Sequence, residues 1–169
     1  MTSQTLLTLL RRALASLLYL GYVPGAPGTY GSAVVVGALW FLRSRIDGFF
    51  APAPPLGYWL AGLALIAVSI FLSNDAENTF GSRDPKQIII DECAGQWLVF
   101  LMIPLTIRTL VLGFFLFRFL DVVKPFPVHR LEELEDGVGT TMDDVAAGVM
   151  ANVALHALLW IYHGIKAWL

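Results

Sequence analysis

Charge and cysteine are what this sequence has least of. Aspartate, glutamate, lysine and arginine make up 14% of its 169 residues, against about 25% in an ordinary globular domain. Thirteen acids and eleven bases leave a formal net charge of −2, which provides no basic footprint for nucleic acid. The single cysteine, Cys93, excludes an internal disulfide and a cysteine zinc cluster. It reads as a small buried apolar residue rather than a nucleophile. Arg11 and Arg12 interrupt the first leucine-rich segment, so no cleavable signal peptide is expected. Strand-type alternation is also missing, which leaves helices.

What is there instead is apolar surface. The hydrophobic fraction is 57% and the mean hydropathy is +0.69. That balance suits an integral membrane protein, with a compact helical bundle around a large core as the other solution. The expected fold is all-α: one domain over 1–169, a membrane-associated bundle of four or five apolar helices plus an N-terminal amphipathic helix. Residues 4–20 set leucines against Arg11, Arg12 and Ser16, the pattern of an amphipathic surface helix. Residues 21–32 are dense in glycine and proline and read as a loop, and 33–42 are apolar up to Arg43 and Arg45. Residues 47–55 carry three prolines and read as a turn. Residues 56–72 are the best transmembrane candidate, at the short end of the range. A polar stretch, 73–86, follows.

Asp84-Pro85 looks like an N-cap and first-turn proline, so a helix is predicted from there to Ile103, ahead of the helix-breaking Pro104. The next apolar helix covers 109–120. Thr140 or Thr141 is expected to cap a last helix over about 143–161. If the polar stretches share one face, Arg11, Arg12, Arg83, Lys86, Arg118, Lys124 and Arg130 lie inside. Arg43, Arg45, Arg108 and Lys166 then lie outside, as the positive-inside rule prefers.

Two acidic pairs break the apolar runs. Asp91 and Glu92 follow three isoleucines, and Asp143 and Asp144 lead into Val145, Ala146 and Ala147. Each pair is followed by a glycine four residues after an acid, Gly95 after Asp91 and Gly148 after Asp144. On a helix that spacing places acid and glycine on one face, where a missing side chain allows close approach. Buried carboxylates need a cation or donors to compensate them. A shared cation site is one reading; the other has Asp143 in a capping box with Thr140 at a helix start. Hard oxygen ligands of this kind suit Mg²⁺ together with a substrate phosphate. Asp121 and Lys124 share a face at a helix end, Asp121 either in a surface ion pair with Arg118 or Lys124 or as a metal ligand, with Lys124 then on a phosphate oxygen. Residues 27–32, Pro-Gly-Thr-Tyr-Gly-Ser, could cradle phosphate at a helix N-terminus or form only a capped turn. His129, His156 and His163 have no ligand spacing with the acids.

Taken together, these segments resemble the phosphatidylglycerophosphatase A family. The resemblance rests on Pro27 to Ser32, on Asp84-Pro85 leading to Asp91, Glu92 and Gly95, on Phe117 to Pro127, and on Gly137 to Gly148. It implies a Mg²⁺-dependent enzyme of the bacterial inner membrane that hydrolyses phosphatidylglycerophosphate to phosphatidylglycerol and phosphate, its site facing the cytoplasm. Its partners would be a phospholipid substrate and the membrane. Asp91, Glu92, Asp121, Asp143 and Asp144 would hold one or two Mg²⁺. Lys124, Gly28, Thr29, Gly31 and Ser32 would hold phosphate. The nucleophile, water or a carboxylate, stays open. Two departures stand out: Thr140-Thr141-Met142 precedes the second acid pair, and residues 132–136 are unusually acidic beside an anionic substrate. The rival functions are a carboxylate-lined transporter or channel, whose acids would spread through the membrane depth, and a non-catalytic membrane adaptor.

Overall fold

The computed structural model describes residues 3–46, 56–82, 85–134 and 136–168. Among them are eight α-helices and no strand: α1 (Ser3–Ala15), α2 (Pro27–Arg45), α3 (Leu56–Ser73), α4 (Ala76–Phe80), α5 (Ile90–Val99), α6 (Ile107–Val123), α7 (Val128–Glu132) and α8 (Asp136–Trp168). The all-α expectation holds. The turn expected over 47–55, with Asp84 and Arg83, lies outside the described residues.

The short helix α5 is the hub, packed against α8, α2, α3 and α6. Eight of its ten residues are buried, Asp91 and Gln96 among them, so it is enclosed on all sides rather than along one stripe. At ten residues it rises only about 15 Å, half the thickness of a bilayer core. Its partner α8 is 33 residues long and runs well past the body, leaving Val153, Trp160, Ile161 and Ile165 exposed. Where the two cross, neither helix has a side chain. A Cβ on Gly148 would stand 3.0 Å from Gly95 Cα and closer still to its carbonyl, and a Cβ on Gly95 would meet Asp144 O. The remaining contacts are specific. Tyr58 of α3 stacks on Trp97 of α5 with ring centroids 4.7 Å apart. The Tyr58 hydroxyl donates to Trp97 O at 2.6 Å and Trp97 Nε1 donates to Tyr58 O at 3.1 Å. Asn152 of α8 donates to Val99 O at 2.9 Å and Leu101 O at 2.8 Å, closing the orphan carbonyls at the end of α5.

Several helix boundaries differ from the sequence expectation. The first helix stops at Ala15, because Leu17, Leu18 and Tyr19 turn left-handed at φ 48°, 55° and 68° before a 3-10 turn at Leu20–Tyr22. Helix α2 begins at Pro27, so residues 28–32 form its first turns rather than a loop. Helix α5 begins at Ile90 instead of residue 85: Ile88 N–H closes a turn on Pro85 O at 2.9 Å, and Ile89 N–H is drawn to Ala15 O at 3.0 Å. It ends at Val99 rather than Ile103. Helix α8 begins at Asp136, so Thr140 and Thr141 lie inside it rather than at its start. The buried Thr141 hydroxyl instead bonds Ser69 of α3 at 2.8 Å.

Two helices, Leu56–Ser73 and Gly137–Lys166, are long and apolar enough to cross a membrane. Arg43 meets Leu105 O beside the start of α6, while Arg11 pairs with Asp75 and Arg12 Nε donates to Thr79 O at 2.6 Å. The glycine crossing yields a direct prediction. Gly148→Ala should lower the thermal midpoint in detergent by the equivalent of about 1–3 kcal/mol, the usual cost of overpacking. Gly37→Ala, whose Cβ meets nothing within 4 Å, should cause no loss; equal midpoints for the two variants would contradict the close crossing.

Candidate active site

The glycine crossing brings the acid-bearing turns of α5 and α8 together. One carboxylate oxygen from each of Asp91, Glu92 and Asp144 lies within 4.8 Å of the other two. Asp91 and Asp144 are each 5% exposed. Two full negative charges at that spacing repel by about 3 kcal/mol at an effective dielectric of about 20. Part of the compensation is local. Asp91 and Glu92 fall in the first turn of α5, where free N–H groups and the positive end of the helix dipole favour carboxylates. Asp143 and Asp144 have no such position, being about two turns inside α8. The structural explanation expected for Asp143 therefore fails, and Asp91 and Glu92 gain one.

The compensation remains incomplete. Glu92 Oε2 and Asp144 Oδ1 are buried without a hydrogen-bond partner. Burial first, then Asp91 beside it and Asp121 beyond, raise Glu92 well above the usual carboxylate range, and Arg118 only partly opposes them. Three clustered hard oxygen donors with orphaned lone pairs fit a divalent cation such as Mg²⁺.

The other two acids expected at the metal are engaged by cations. Asp143 Oδ2 accepts from Lys124 Nζ at 2.8 Å, and Glu132 Oε1 of α7 pairs with the same nitrogen at 2.9 Å. Lys124 closes α6 in a left-handed conformation, φ 46°, which turns the chain toward α7. Burial would lower its pKa, but the hydrogen bonds and charges of Asp143 and Glu132 outweigh it and hold the ammonium above the usual lysine range. Asp121 Oδ2 stands 2.6 Å from Arg118 Nη1, which is also 3.9 Å from Glu92 Oε1.

All of these side chains line one cleft of about 720 Å³. Seven acids border it (Asp91, Glu92, Asp121, Glu132, Glu133, Asp143 and Asp144) against three cations, Lys86, Arg118 and Lys124. That excess of acid repels a phosphate unless a further cation is present.

The expected phosphate cradle is only partly at the cleft. Gly28 lines it, and a Cβ there would collide with Glu92 Oε1. The Thr29 and Tyr30 amides are both spent on Ala26 O. Gly31 is buried against Ile89 O, and the Ser32 hydroxyl turns back to Gly28 O at 3.0 Å. Cys93 Sγ donates to Gly31 O at 3.4 Å, and burial pushes its thiol pKa up, so it is no nucleophile. No histidine is among the residues lining the cleft; His156 instead approaches Leu101 O at 3.3 Å. Sequence reasoning left Arg118 as a surface ion-pair partner, although its spacing from Asp121 already placed both on one helix face.

A cleft of buried acids beside an ammonium and a guanidinium, set among exposed apolar helices, has the groups to bind a cation and an anion together. Comparison with known proteins names the family. The chain belongs to the phosphatidylglycerophosphatase A family, whose sequence model matches residues 13–159, and it is accordingly a phosphatase. It is 33% identical over 146 residues to a Bacteroides thetaiotaomicron protein provisionally named as a phosphatidylinositol-3-phosphatase, covering 83% of this chain and 88% of the relative. It is 29% identical to phosphatidylglycerophosphatase A of Escherichia coli K12, covering 80% and 76% of the two chains. The corresponding protein of Haemophilus influenzae is 36% identical, covering 82% of each. No solved structure matches the chain significantly.

The raised pKa of Glu92 sets a pH dependence. In EDTA the unfolded chain gives up this proton near pH 4.3 and the folded chain only at higher pH, so stability should fall as pH rises above that value. Glu92→Gln should flatten the slope, and so should added Mg²⁺. Melting curves across pH test this, and an unchanged slope in Glu92→Gln would remove Glu92 as its source.

Proposed function

We propose that the cleft hydrolyses the phosphate monoester of phosphatidylglycerophosphate, giving phosphatidylglycerol and phosphate, at the cytoplasmic side of a bacterial inner membrane. We take residues 1–169 as one such domain. The observation that carries this reading is the trio Asp91, Glu92 and Asp144, clustered within 4.8 Å with orphaned oxygens, beside charged amines in one cleft.

Asp91, Glu92 and Asp144 would hold Mg²⁺, which when bound supplies neutralising charge for the phosphate and a more acidic water. The chain's own residues do the rest. Lys124 offers its ammonium to a phosphate oxygen, and Asp143 fixes where that ammonium stands. Gly28 keeps the floor of the cleft free of a side chain. Glu132 is half-exposed on the rim and must yield Lys124 when phosphate arrives. In the net reaction a water oxygen bonds to phosphorus as the phosphorus–oxygen bond to glycerol breaks. The proton that water loses balances the one the leaving oxygen gains. The lipid chains stay with the apolar surface, where Val122 and Phe126, 72% and 73% exposed, flank Lys124 in sequence.

A transporter is disfavoured because all five acids gather at a single cleft rather than spreading along the helices. A phosphoinositide monoester is a second substrate reading, favoured by the name of the Bacteroides relative.

Purified protein should release phosphate from phosphatidylglycerophosphate with Mg²⁺ and stop in EDTA. Faster release from phosphatidylinositol 3-phosphate would shift the assignment to the second reading, and activity surviving full chelation would remove the metal. Asp91→Asn should retain its fold yet lose about a hundredfold or more in rate, the scale of losing one preorganised electrostatic contact. Turnover equal to the parent would return Asp91 to a structural role.

A further inference from the structure

We infer that Arg118 binds the substrate phosphate in the cleft and that Asp121 is a positioning residue for it, not a metal ligand. The inference rests on the phosphate-hydrolysing reading of this cleft and assigns it a second anion-binding group.

Arg118 sits between Phe117 and Phe119 in the apolar run of α6, whose other charges, Arg108 and Asp121, lie in its first and last turns. Burying a cation there is costly, and the return is visible only at the cleft. Its Nη1 stands between Asp121 Oδ2 at 2.6 Å and Glu92 Oε1 at 3.9 Å. That atom is buried, yet it makes no aligned hydrogen bond. The side chain keeps 18% of its exposure and lines the cleft. One edge of the fork is therefore held against acids while donors remain for a ligand. Lys124 differs, since its nitrogen already serves Asp143 and Glu132.

The surroundings reserve room for this arginine. A Cβ on Gly28 would collide first with the Glu92 carboxylate and would stand 2.9 Å from Nη1, so the bare first turn of α2 makes space for both groups. A planar fork with several donors matches two oxygens of one phosphate, which a single ammonium cannot do. Asp121 lies one turn farther along the same helix face and has no ligand atom in the acid cluster of Asp91, Glu92 and Asp144. Its contact is with the arginine. A purely structural ion pair needs neither the open donors nor the glycine beneath them.

The test is calorimetric binding of inorganic phosphate to the full-length protein in detergent with Mg²⁺, run beside lipid hydrolysis. Arg118→Ala should weaken phosphate binding about tenfold or more, and Arg118→Lys should recover part of the loss. Asp121→Asn should weaken it in the same direction, with little further loss in the double variant. Phosphate affinity within about twofold of the parent in Arg118→Ala would overturn the inference, as would no phosphate binding by the parent. Phosphate binding that depends on Arg118, without hydrolysis of either lipid, would sink the substrate reading and leave this inference standing.

Discussion

Everything in the site depends on two backbones touching at Gly95 and Gly148. Side chains normally hold packed helices 8–10 Å apart. Here a methyl group on either glycine would enter the other helix's backbone. Asp91 lies one turn before Gly95, and Asp144 one turn before Gly148. The crossing that joins the glycines therefore joins the acids as well. Electrostatics alone would drive such carboxylates apart, so packing assembles the cluster and a cation is left to stabilise it.

Around that cluster the protein separates its charges by task. Lys124 is fixed by Asp143 and Glu132, and Arg118 stands against Asp121. Arg118 and Lys124 thus each have a carboxylate beside them, and Asp91, Glu92 and Asp144 face one another. Five acids that look equivalent in sequence divide into three whose oxygens cluster and two that stand against Arg118 and Lys124. The scaffold supports this division. Asn152 ties the far end of α5 to α8, and the Tyr58–Trp97 clasp ties it to α3. The acids at its near end consequently sit on a fixed platform.

The sequence made the helical class, the acid–glycine spacing and the pairing of α5 with α8 legible, because each depends on short-range periodicity. Helix starts were not legible. Asp84-Pro85 carries a good start signal, but Ile89 N–H is taken by Ala15 O, a partner over seventy residues away, and α5 waits until Ile90. Thr140 and Thr141 look like caps, yet Thr141 is used to bond Ser69 across helices. These two shifts exchange the roles of the acid pairs: the pair without a helix-start explanation acquired one, and the other lost it. The glycine-rich segment misled in the same way, since Pro27 starts a helix whose amides are mostly spent internally. Arg118 was visible only as half of an ion pair, because its open donors and the space over Gly28 are properties of the assembled cleft.

At the centre of the proposed chemistry is one divalent cation held by Asp91, Glu92 and Asp144 together. The most direct measurement is anomalous diffraction from crystals of the protein soaked in Mn²⁺, which replaces Mg²⁺ at oxygen ligands and can be located by its scattering. The account predicts a peak bounded by these three carboxylates, with Asp121 and Asp143 still turned to Arg118 and Lys124. A peak at any other place in the cleft, or none with the carboxylates still clustered, would contradict it.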